Sequence, residues 1–262
     1  MILSSASFVR SVKNGIIKKV ERAHSVPMLA IVLVGKNPAS LSYVKKKGQV
    51  AESLGCRYEL HCLPQTASQA RILALIAQLN ASPEVTGIIV QLPLPEKHDV
   101  DTIISAIAPH KDVDNLRGDS PFIAPSVQAI WHILLKAGAP RKDTPILIIG
   151  YGTLIGKPLH AFLMKKGFTR LTVADKKTKN LDILTQKADV VISATGKPNL
   201  VTRVKRGAIV IDAGSGFYKG KIKGDADTAA VALLAKIVTP VPGGVGPLTV
   251  AYLFRNLLLA LK

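Results

Sequence analysis

The stretch Ile146–Gly156, ILIIGYGTLIG, places a short apolar run directly before three glycines, and it decides the fold class. Four consecutive apolar residues are typical of a strand that is buried on both faces of a parallel sheet. Glycines at 150, 152 and 156 let the backbone approach a ligand, and a helix starting there directs its N–H groups at a phosphate. The spacing, G-x-G-x-x-x-G, is one residue longer than the usual dinucleotide fingerprint. The stretch therefore predicts a dinucleotide site, with a tight helix-packing turn as the alternative.

Strand-like and helix-like patterns alternate on both sides of this stretch. Strands are predicted at 28–34, 58–63, 87–90, 146–149, 171–174, 189–194 and 208–212, with 236–238 as a further candidate. Helices are predicted at 5–24, 40–54, 70–80, 100–107, 127–137, 155–166, 179–187, 228–235 and 249–261. Such alternation predicts parallel α/β sheets. The polar stretch NLRGDSPFIAP, residues 115–125, is interpreted as a linker between two domains.

Composition sets the class of protein. The 262 residues are 48% hydrophobic and 20% charged, which is a normal globular balance. The chain has no apolar run long enough to span a membrane, and its first ten residues, MILSSASFVR, are too short and polar for a secretory signal. Cys56 and Cys62 lack metal-ligand spacing, so we expect two buried free thiols and no metal site. A cytoplasmic location without membrane association is expected.

The chain is strongly basic, with 35 Lys and Arg against 17 Asp and Glu and a net charge of +18. Such a charge attracts polyanions, nucleic acid among them, and small anions such as dinucleotide phosphates. The lysines are scattered, without an RGG tract or an aromatic-interleaved basic repeat. We therefore expect no specific nucleic-acid partner.

A second glycine-rich stretch, Thr239–Thr249, reads TPVPGGVGPLT. Its three prolines restrict the backbone, while Gly243 and Gly244 leave room for a ligand against the main chain. A plain turn between a strand and a helix is the alternative. The string resembles the PVPGGVGP signature of the methylenetetrahydrofolate dehydrogenase/cyclohydrolase family.

Further strings resemble the same family in the same order along the chain. Ser40, Tyr43 and Lys47 share one helix face by spacing, and their segment SLSYVKKK resembles S-x-x-Y-V-x-x-K. The other similar segments are VQLPLP around Gln91, KDVDN around Asp114, the glycine stretch 150–158, which resembles GRSxxVGxP, and ATGKP at 194–198, which resembles AxGxP. The resemblance thus covers nearly the whole chain.

The resemblance implies a fold class and a division into domains. It implies a two-domain α/β protein: an N-terminal α/β folate-binding domain plus a Rossmann-type dinucleotide-binding domain, with the active site in the cleft between them. We predict that the catalytic, folate-binding domain comprises residues 1–118 and the C-terminal helix 249–262. The NAD(P)-binding domain is predicted at 119–248.

The resemblance also implies an activity. It implies an enzyme of one-carbon metabolism that oxidises 5,10-methylene-tetrahydrofolate with a nicotinamide cofactor and hydrolyses the methenyl product to 10-formyl-tetrahydrofolate. A homodimer and a place in purine biosynthesis are implied as well. The net charge of +18 would also attract polyglutamylated folates.

The resemblance implies roles for individual residues. Lys47 would act as the base of the hydrolysis, assisted by Gln91, and Asp114 would accept hydrogen bonds from the pterin. Catalytic or substrate-binding positions are Tyr43, Lys47, Gln91, Leu92, Asp114, Pro242 and Gly243. Cofactor-binding positions are Gly150, Tyr151, Gly152, Leu154, Ile155, Asp175, Lys176, Thr195, Gly196 and Gly243.

The chain departs from the family pattern at several of these positions. Tyr151 stands where the family usually has arginine, Gly152 where serine is common, and Asn115 where KDVDG has its last glycine. The segment 115–125 is shorter than usual, and the family's PCTP appears as APSV at 124–127. A dinucleotide-binding protein lacking one or both activities, and a basic RNA-binding protein on an α/β scaffold, are the alternatives.

Cofactor choice stays open at the level of sequence. The family resemblance favours NADP as the cofactor. Asp175 at the predicted end of the second strand of the Rossmann domain favours NAD, because a carboxylate there would bind the ribose hydroxyls and repel a 2′-phosphate. Lys176 and Lys177 follow directly and would attract that phosphate.

Overall fold

The computed structural model describes residues 1–138, 140–218 and 221–261. Its helices are α1 (Ala6–Val20), α2 (Pro38–Ser53), α3 (Gln69–Ala81), α4 (Val100–Ser105), α5 (Pro125–Lys136), α6 (Gly156–Lys165), α7 (Leu181–Lys187), α8 (Thr228–Ala232) and α9 (Val245–Ala260). Its strands are β1 (Met28–Val34), β2 (Arg57–Leu63), β3 (Gly87–Val90), β4 (Ile146–Ile149), β5 (Leu171–Ala174), β6 (Val190–Ser193), β7 (Ile209–Asp212), β8 (Gly216–Tyr218), β9 (Lys221–Lys223) and β10 (Ile237–Val238). A 3-10 turn covers Pro109–Lys111.

The chain forms two compact units. The three-stranded unit consists of Arg10–Pro125 and Val250–Lys262, and the five-stranded unit consists of Met1–Val9 and Ser126–Thr249. The final helix therefore contributes its residues from Val250 onward to the three-stranded unit. The domain boundary proposed between residues 118 and 119 stays a prediction.

The sheet of the three-stranded unit has the order β2-β1-β3, with both pairs parallel. The central strand β1 is buried along its whole length because alternate residues enter two separate cores. Leu29 and Ile31 pack in a core with Phe254, whereas Ala30 and Val32 pack in a second core with Ile76. This double burial explains the continuous apolar sequence of β1.

The strand β2 lies at the edge of this sheet and is mostly exposed or half-buried. Cys62 belongs to it and is exposed, while Cys56 precedes it and is buried. The expectation of two buried thiols is therefore wrong for Cys62, because an edge strand in this sheet leaves one face to solvent. No three His, Cys, Asp or Glu side chains in the described ranges lie close enough together to hold a metal ion.

The sheet of the five-stranded unit has the order β10-β7-β6-β4-β5, again parallel throughout. The strand ends are in register: Ile149 pairs with Ala174 and with Ser193, and Ser193 pairs with Asp212. The loops that follow β4, β5, β6 and β7 therefore leave from one edge of the sheet. Strands β5 and β6 flank β4 on opposite sides, so the chain changes direction between β4 and β6. Open α/β sheets bind ligands at such a switch point.

The predicted strands 28–34, 87–90, 146–149 and 171–174 match the observed ones residue for residue. The antiparallel hairpin β8–β9 was not predicted, because its three-residue strands, GFY and KIK, carry no apolar run. The last helix begins four residues earlier than predicted, at Val245. It accommodates Pro247 because the N–H groups of a first helical turn have no acceptor within the helix. Among the described helices, none combines the length and apolarity needed to cross a bilayer.

Candidate active site

The helix α2 carries a lysine on its buried face. Lys47 is only 9% exposed, whereas its neighbours Lys45 and Lys46 are exposed. Ser40 and Val44 are buried on the same helix. A lysine is rarely buried unless it has a partner, so this position calls for one.

Gln91 supplies that partner. It follows β3 directly, and its backbone N–H continues the ladder by donating to the carbonyl of Val32 at 2.9 Å. Its side-chain Nε2 donates to the carbonyl of Leu92 at 2.7 Å. This bond orients the carboxamide so that Oε1 accepts a hydrogen bond from Lys47 Nζ at 3.1 Å.

Asp114 completes the cluster electrostatically. Burial lowers the pKa of Lys47, and the negative charge of Asp114 opposes that effect. Burial likewise raises the pKa of Asp114, and the positive charge of Lys47 opposes it. Burial dominates in both groups, so each is closer to its neutral form than it would be in water.

The loop around Asp114 is held by hydrogen bonds from both of its sides. Asp112 is fully buried and accepts hydrogen bonds from the N–H groups of Leu116 and Arg117 at 3.0 and 2.9 Å. The carbonyl of Val113 accepts a hydrogen bond from Asn256 on α9 at 2.8 Å. Neither Asp112 nor Asn256 was among the predicted site residues.

Asn115 adopts a left-handed conformation, with φ at +52°. Asparagine is among the residues that tolerate this region best after glycine. Asn115 therefore adopts, at the position of the last glycine of KDVDG, a backbone conformation that glycine and asparagine accommodate best.

Tyr43 lies one turn before Lys47 on α2 and is 38% exposed. Ser40, Tyr43 and Lys47 are predicted to share one helix face, and α2 carries all three. Only Ser40 and Lys47 are buried. Within the three-stranded unit, the structure thus brings together Lys47, Gln91 and Asp114 and leaves Tyr43 more open to solvent.

In the five-stranded unit, the loop after β4 folds tightly where its first and last glycines stand. Gly150 has a φ of +93°, and a Cβ there would lie 2.7 Å from the carbonyl oxygen of Ala194. A Cβ on Gly156, the first residue of α6, would lie 2.0 Å from the carbonyl oxygen of Gly150. Both positions require glycine for steric reasons, whereas a Cβ at Gly152 would meet open space. The loop thus brings Gly150 close to the first residue of α6, and a helix N-terminus beside such a glycine turn suits a pyrophosphate.

The side chains of this loop are largely exposed. Leu154 and Tyr151 are exposed, and Ile155 is half-buried. The Tyr151 hydroxyl lies 3.4 Å from Nδ1 of His160, and the two rings meet edge to face. Tyr151 therefore contributes a neutral, hydrogen-bonding group where the family usually has a cation.

Asp175 follows β5 and bonds to its own loop. Its Oδ1 accepts hydrogen bonds from the Lys177 N–H at 2.9 Å and from the Thr178 hydroxyl at 3.2 Å. These bonds lower the pKa of the Asp175 carboxyl. Lys176 and Lys177 are exposed beside it.

Thr195 and Gly196 follow β6 on the other side of the switch point. The Thr195 N–H donates to Oδ2 of Asp225 at 2.7 Å. Gly196 has a φ of +72°, and a Cβ there would lie 3.4 Å from the carbonyl oxygen of Ser215. This loop therefore contacts Ser215 and Asp225, which come much later in the chain.

The loop at 240–244 is shaped by a cis peptide between Val241 and Pro242 and by Gly243, whose φ is +107°. Ser5 holds it from the N-terminus: its N–H donates to the carbonyl of Gly243 at 3.0 Å, and its hydroxyl donates to that of Gly244 at 2.6 Å. The sequence carries no signal for this contact, since the partners lie at opposite ends of the chain.

These features first define a class: an α/β protein with a dinucleotide-binding loop in one unit and, in the other, a buried lysine that bonds to a carboxamide and interacts with a carboxylate. Two domain families match the chain. The catalytic domain of tetrahydrofolate dehydrogenase/cyclohydrolase matches residues 3–114, and the NAD(P)-binding domain of the same enzymes matches residues 124–262. The chain belongs to the tetrahydrofolate dehydrogenase/cyclohydrolase family.

Individual relatives agree with this assignment. The chain is 40% identical over 243 residues to the bifunctional protein FolD 2 of Desulfitobacterium hafniense, covering 88% of this chain and 85% of that one. The crystal structure of the bifunctional enzyme FolD from Campylobacter jejuni is 34% identical, with a TM-score of 0.93 over 100% of this chain and 98% of that one. The Trypanosoma brucei enzyme, solved with NADP and an inhibitor, is 28% identical with a TM-score of 0.92, over 100% and 97% of the two chains.

The predicted family and two-domain α/β fold class are therefore confirmed. So is the classification of the chain as a dehydrogenase/cyclohydrolase enzyme with an NAD(P)-binding domain.

Proposed function

We propose that this protein oxidises 5,10-methylene-tetrahydrofolate to 5,10-methenyl-tetrahydrofolate with NADP⁺ and then hydrolyses the methenyl product to 10-formyl-tetrahydrofolate. The observation that carries the proposal is the hydrogen bond between the buried amine of Lys47 and the half-buried side chain of Gln91, with Asp114 acting on the same lysine. A buried amine of lowered pKa is suited to accept a proton from water near neutral pH.

In the oxidation, the protein's task is to position two planar rings. NADP supplies the hydride acceptor. Gly150 and Gly156, which have no room for a Cβ, and the N-terminus of α6 would hold the cofactor pyrophosphate. Within the three-stranded unit, Tyr43 and Leu92 would contact the folate.

In the hydrolysis, water attacks the methenyl carbon, and neutral Lys47 takes a proton from that water as the C–O bond forms. The bond from this carbon to N5 then breaks: N5 takes up the proton held by Lys47, the hydroxyl group on the carbon loses its proton to solvent, and the resulting formyl group stays on N10. Gln91 Oε1 keeps the Lys47 amine in place through the 3.1 Å hydrogen bond. Asp114 would accept hydrogen bonds from N–H groups of the pterin ring and hold the ring next to Lys47.

The choice of NADP over NAD is supported by the conformation of the loop after β5. Asp175 uses Oδ1 for its own loop, and two exposed lysines, Lys176 and Lys177, lie next to it. With Oδ1 bonded to its own loop, the carboxylate has fewer acceptor positions for ribose hydroxyls, and the lysines suit a 2′-phosphate.

The cofactor proposal is tested with Asp175→Ser. We expect kcat/KM to favour NADP in both the wild type and the variant, because the Asp175 carboxylate does not bind the ribose hydroxyls. A variant whose preference moves strongly toward NADP would show instead that Asp175 faces the ribose and selects for NAD. The conservative control is Asp182→Ser, at an exposed position of α7.

We also propose, from the family resemblance, that the enzyme is a cytoplasmic homodimer whose product serves purine biosynthesis. Light scattering of the purified protein tests the dimer. A mass equal to one chain at micromolar concentration would contradict it.

The activity itself is tested by absorbance. The purified protein is mixed with methylene-tetrahydrofolate and either NADP⁺ or NAD⁺, and formation of reduced cofactor is followed. Loss of methenyl-tetrahydrofolate is followed separately without cofactor. Absence of both changes would favour a dinucleotide-binding protein without turnover.

A further inference from the structure

Two fully buried aspartates of the five-stranded unit remain outside the proposed chemistry. Asp212 ends β7, and Asp225 follows the hairpin β8–β9; both are 0% exposed. Burying a carboxylate is costly unless hydrogen bonds compensate for the lost water. The groups to which each aspartate bonds therefore indicate its role.

Asp212 bonds to the two ends of the hairpin segment. Its Oδ1 accepts the N–H of Gly214 at 2.9 Å, and its Oδ2 accepts the N–H of Ala226 at 2.8 Å. Burial raises the pKa of its carboxyl to about 6. These partners are all local to the hairpin, which gives Asp212 a structural role.

Asp225 bonds instead to the loop after β6. Its Oδ2 accepts both the Ser193 hydroxyl at 2.6 Å and the Thr195 N–H at 2.7 Å. Its Oδ1 is buried and accepts no hydrogen bond from the described residues. An unpartnered buried oxygen weakens stability, so stability alone is a poor reason to keep a carboxylate here.

The surrounding backbone fits closely around Asp225. A Cβ on Gly214 would lie 2.1 Å from Asp225 Oδ1, and a Cβ on Gly216 would lie 2.4 Å from the carbonyl oxygen of Gly196. On the far side, the Ala194 carbonyl and the Thr195 methyl group lie 2.7 and 3.0 Å from where a Cβ of Gly150 would stand. The hydrogen bond to Asp225 therefore fixes the backbone of Thr195, and the side chain of Thr195 lies next to Gly150, the first glycine of the dinucleotide loop.

We propose that Asp225 is a positioning residue for cofactor binding: through the Thr195 N–H it holds the loop 194–196 against Gly150 at the switch point of the sheet. The inference rests on the proposed function and on the assignment of Thr195 and Gly196 as cofactor-binding positions. Because Asp225 is 0% exposed, it would act through the backbone of Thr195 and not by direct contact with a ligand.

The test is Asp225→Ala, measured by NADP titration with calorimetry and by the kinetics of both reactions. We expect the cofactor Kd and KM to rise by about tenfold or more, because displacement of a binding loop by a fraction of an ångström is enough to lose such contacts. Hydrolysis of the methenyl cation, which depends on Lys47, should keep its rate. Asp225→Asn retains an oxygen for both donors and should restore the Kd to within about threefold of the wild type.

The matched control is Asp227→Ala. Asp227 caps α8 by accepting the Ala230 N–H at 3.1 Å, and its removal should lower the Tm without changing the cofactor Kd. Should Asp225→Ala fail to fold, Asp225→Ser carries the same expectation, since one hydroxyl cannot replace an acceptor for both donors.

Different results would overturn the positioning role of Asp225 and the proposed function. Cofactor affinity in folded Asp225→Ala equal to that of the wild type, or an asparagine variant as weak as alanine, would overturn the positioning role. A wild type that binds neither NADP nor NAD would instead overturn the proposed function.

Discussion

At the scale of single residues, the chemistry depends on one lysine that is removed from water. Lys45, Lys46 and Lys47 are neighbours in sequence, yet only Lys47 points into the core of the three-stranded unit. Its amine faces Gln91 Oε1 at 3.1 Å and the charge of Asp114. Burial, not the residue type, is what distinguishes it from the many surface lysines of this basic chain.

Replacing Lys47 with Met should abolish the hydrolysis, since no other titratable side chain is assigned to the attacking water. Loss of a general base typically costs about two to four orders of magnitude in rate. Lys46→Met, one position earlier on the exposed side of α2, is the control and should hydrolyse the methenyl cation normally. Normal hydrolysis by Lys47→Met would remove this residue from the mechanism.

The pKa of Lys47 should respond to Asp114. The negative charge of Asp114 raises the Lys47 pKa against the lowering caused by burial, so Asp114→Asn should lower the pKa further. Titration of the Lys47 side chain by NMR in the free protein measures this, and the pH limb of hydrolysis should shift toward lower pH. Glu52→Gln, an exposed carboxylate on the same helix, is expected to leave the pKa unchanged. A Lys47 pKa that stays constant or rises in Asp114→Asn would contradict the coupling.

At the scale of elements, the loop carrying Asp114 is anchored to the end of a helix. Lys111 is 7% exposed, and its Nζ donates to the carbonyls of Leu79, Asn80 and Ser82 at 3.0, 2.8 and 2.7 Å. The last carbonyls of a helix have no partner within it, so a cation that binds them stabilises the terminus of α3. The same side chain ties that terminus to the KDVDN segment.

Lys111→Met should therefore destabilise the protein. Charge-assisted hydrogen bonds contribute more than neutral ones, and one buried and two part-buried carbonyls would lose this donor, so we expect a loss of about 2–3 kcal/mol in the free energy of unfolding. Urea denaturation of the variant against the wild type measures it. Lys97→Met removes an exposed lysine of the same unit and should cost little. An equal effect of the two substitutions would show that Lys111 does not cap the helix.

At the scale of the whole molecule, the net charge of +18 acts on every anionic ligand. Its field attracts NADP more than NAD, since a phosphate monoester adds a charge of about −1.5 to −2 at neutral pH. Local hydrogen bonds are short-ranged and less affected by salt than this field is.

The KM for NADP should thus rise with salt more steeply than the KM for NAD. Measuring both constants between about 0.02 and 0.2 M ionic strength, where the screening length falls from roughly 20 to below 10 Å, checks this expectation. The dependence of hydrolysis on salt, measured without cofactor, is the reference. Parallel salt dependences for the two cofactors would show that the diffuse charge does not contribute to cofactor choice.

The sequence by itself determined the elements and the family. Continuous apolar runs such as 28–34 and 146–149 have one stable outcome, a strand covered on both faces, and the glycine strings carry steric demands that are local to the backbone. Short motifs in the right order then sufficed to predict the class of enzyme. These properties are encoded over a few residues, so they can be recognised without knowing how the chain folds back.

Only the tertiary structure decided which side chains meet. Lys47 and Gln91 are 44 positions apart, and Thr195 and Asp225 are 30 positions apart. Neither pairing follows from a local pattern, because both depend on which strands become neighbours in a parallel sheet. The same reason governs Cys62, which is exposed because β2 lies at an edge, and Asp175, whose carboxylate turns to its own loop. Burial and hydrogen bonding between distant segments are properties of the packed chain, and they turn one lysine among many into the candidate base.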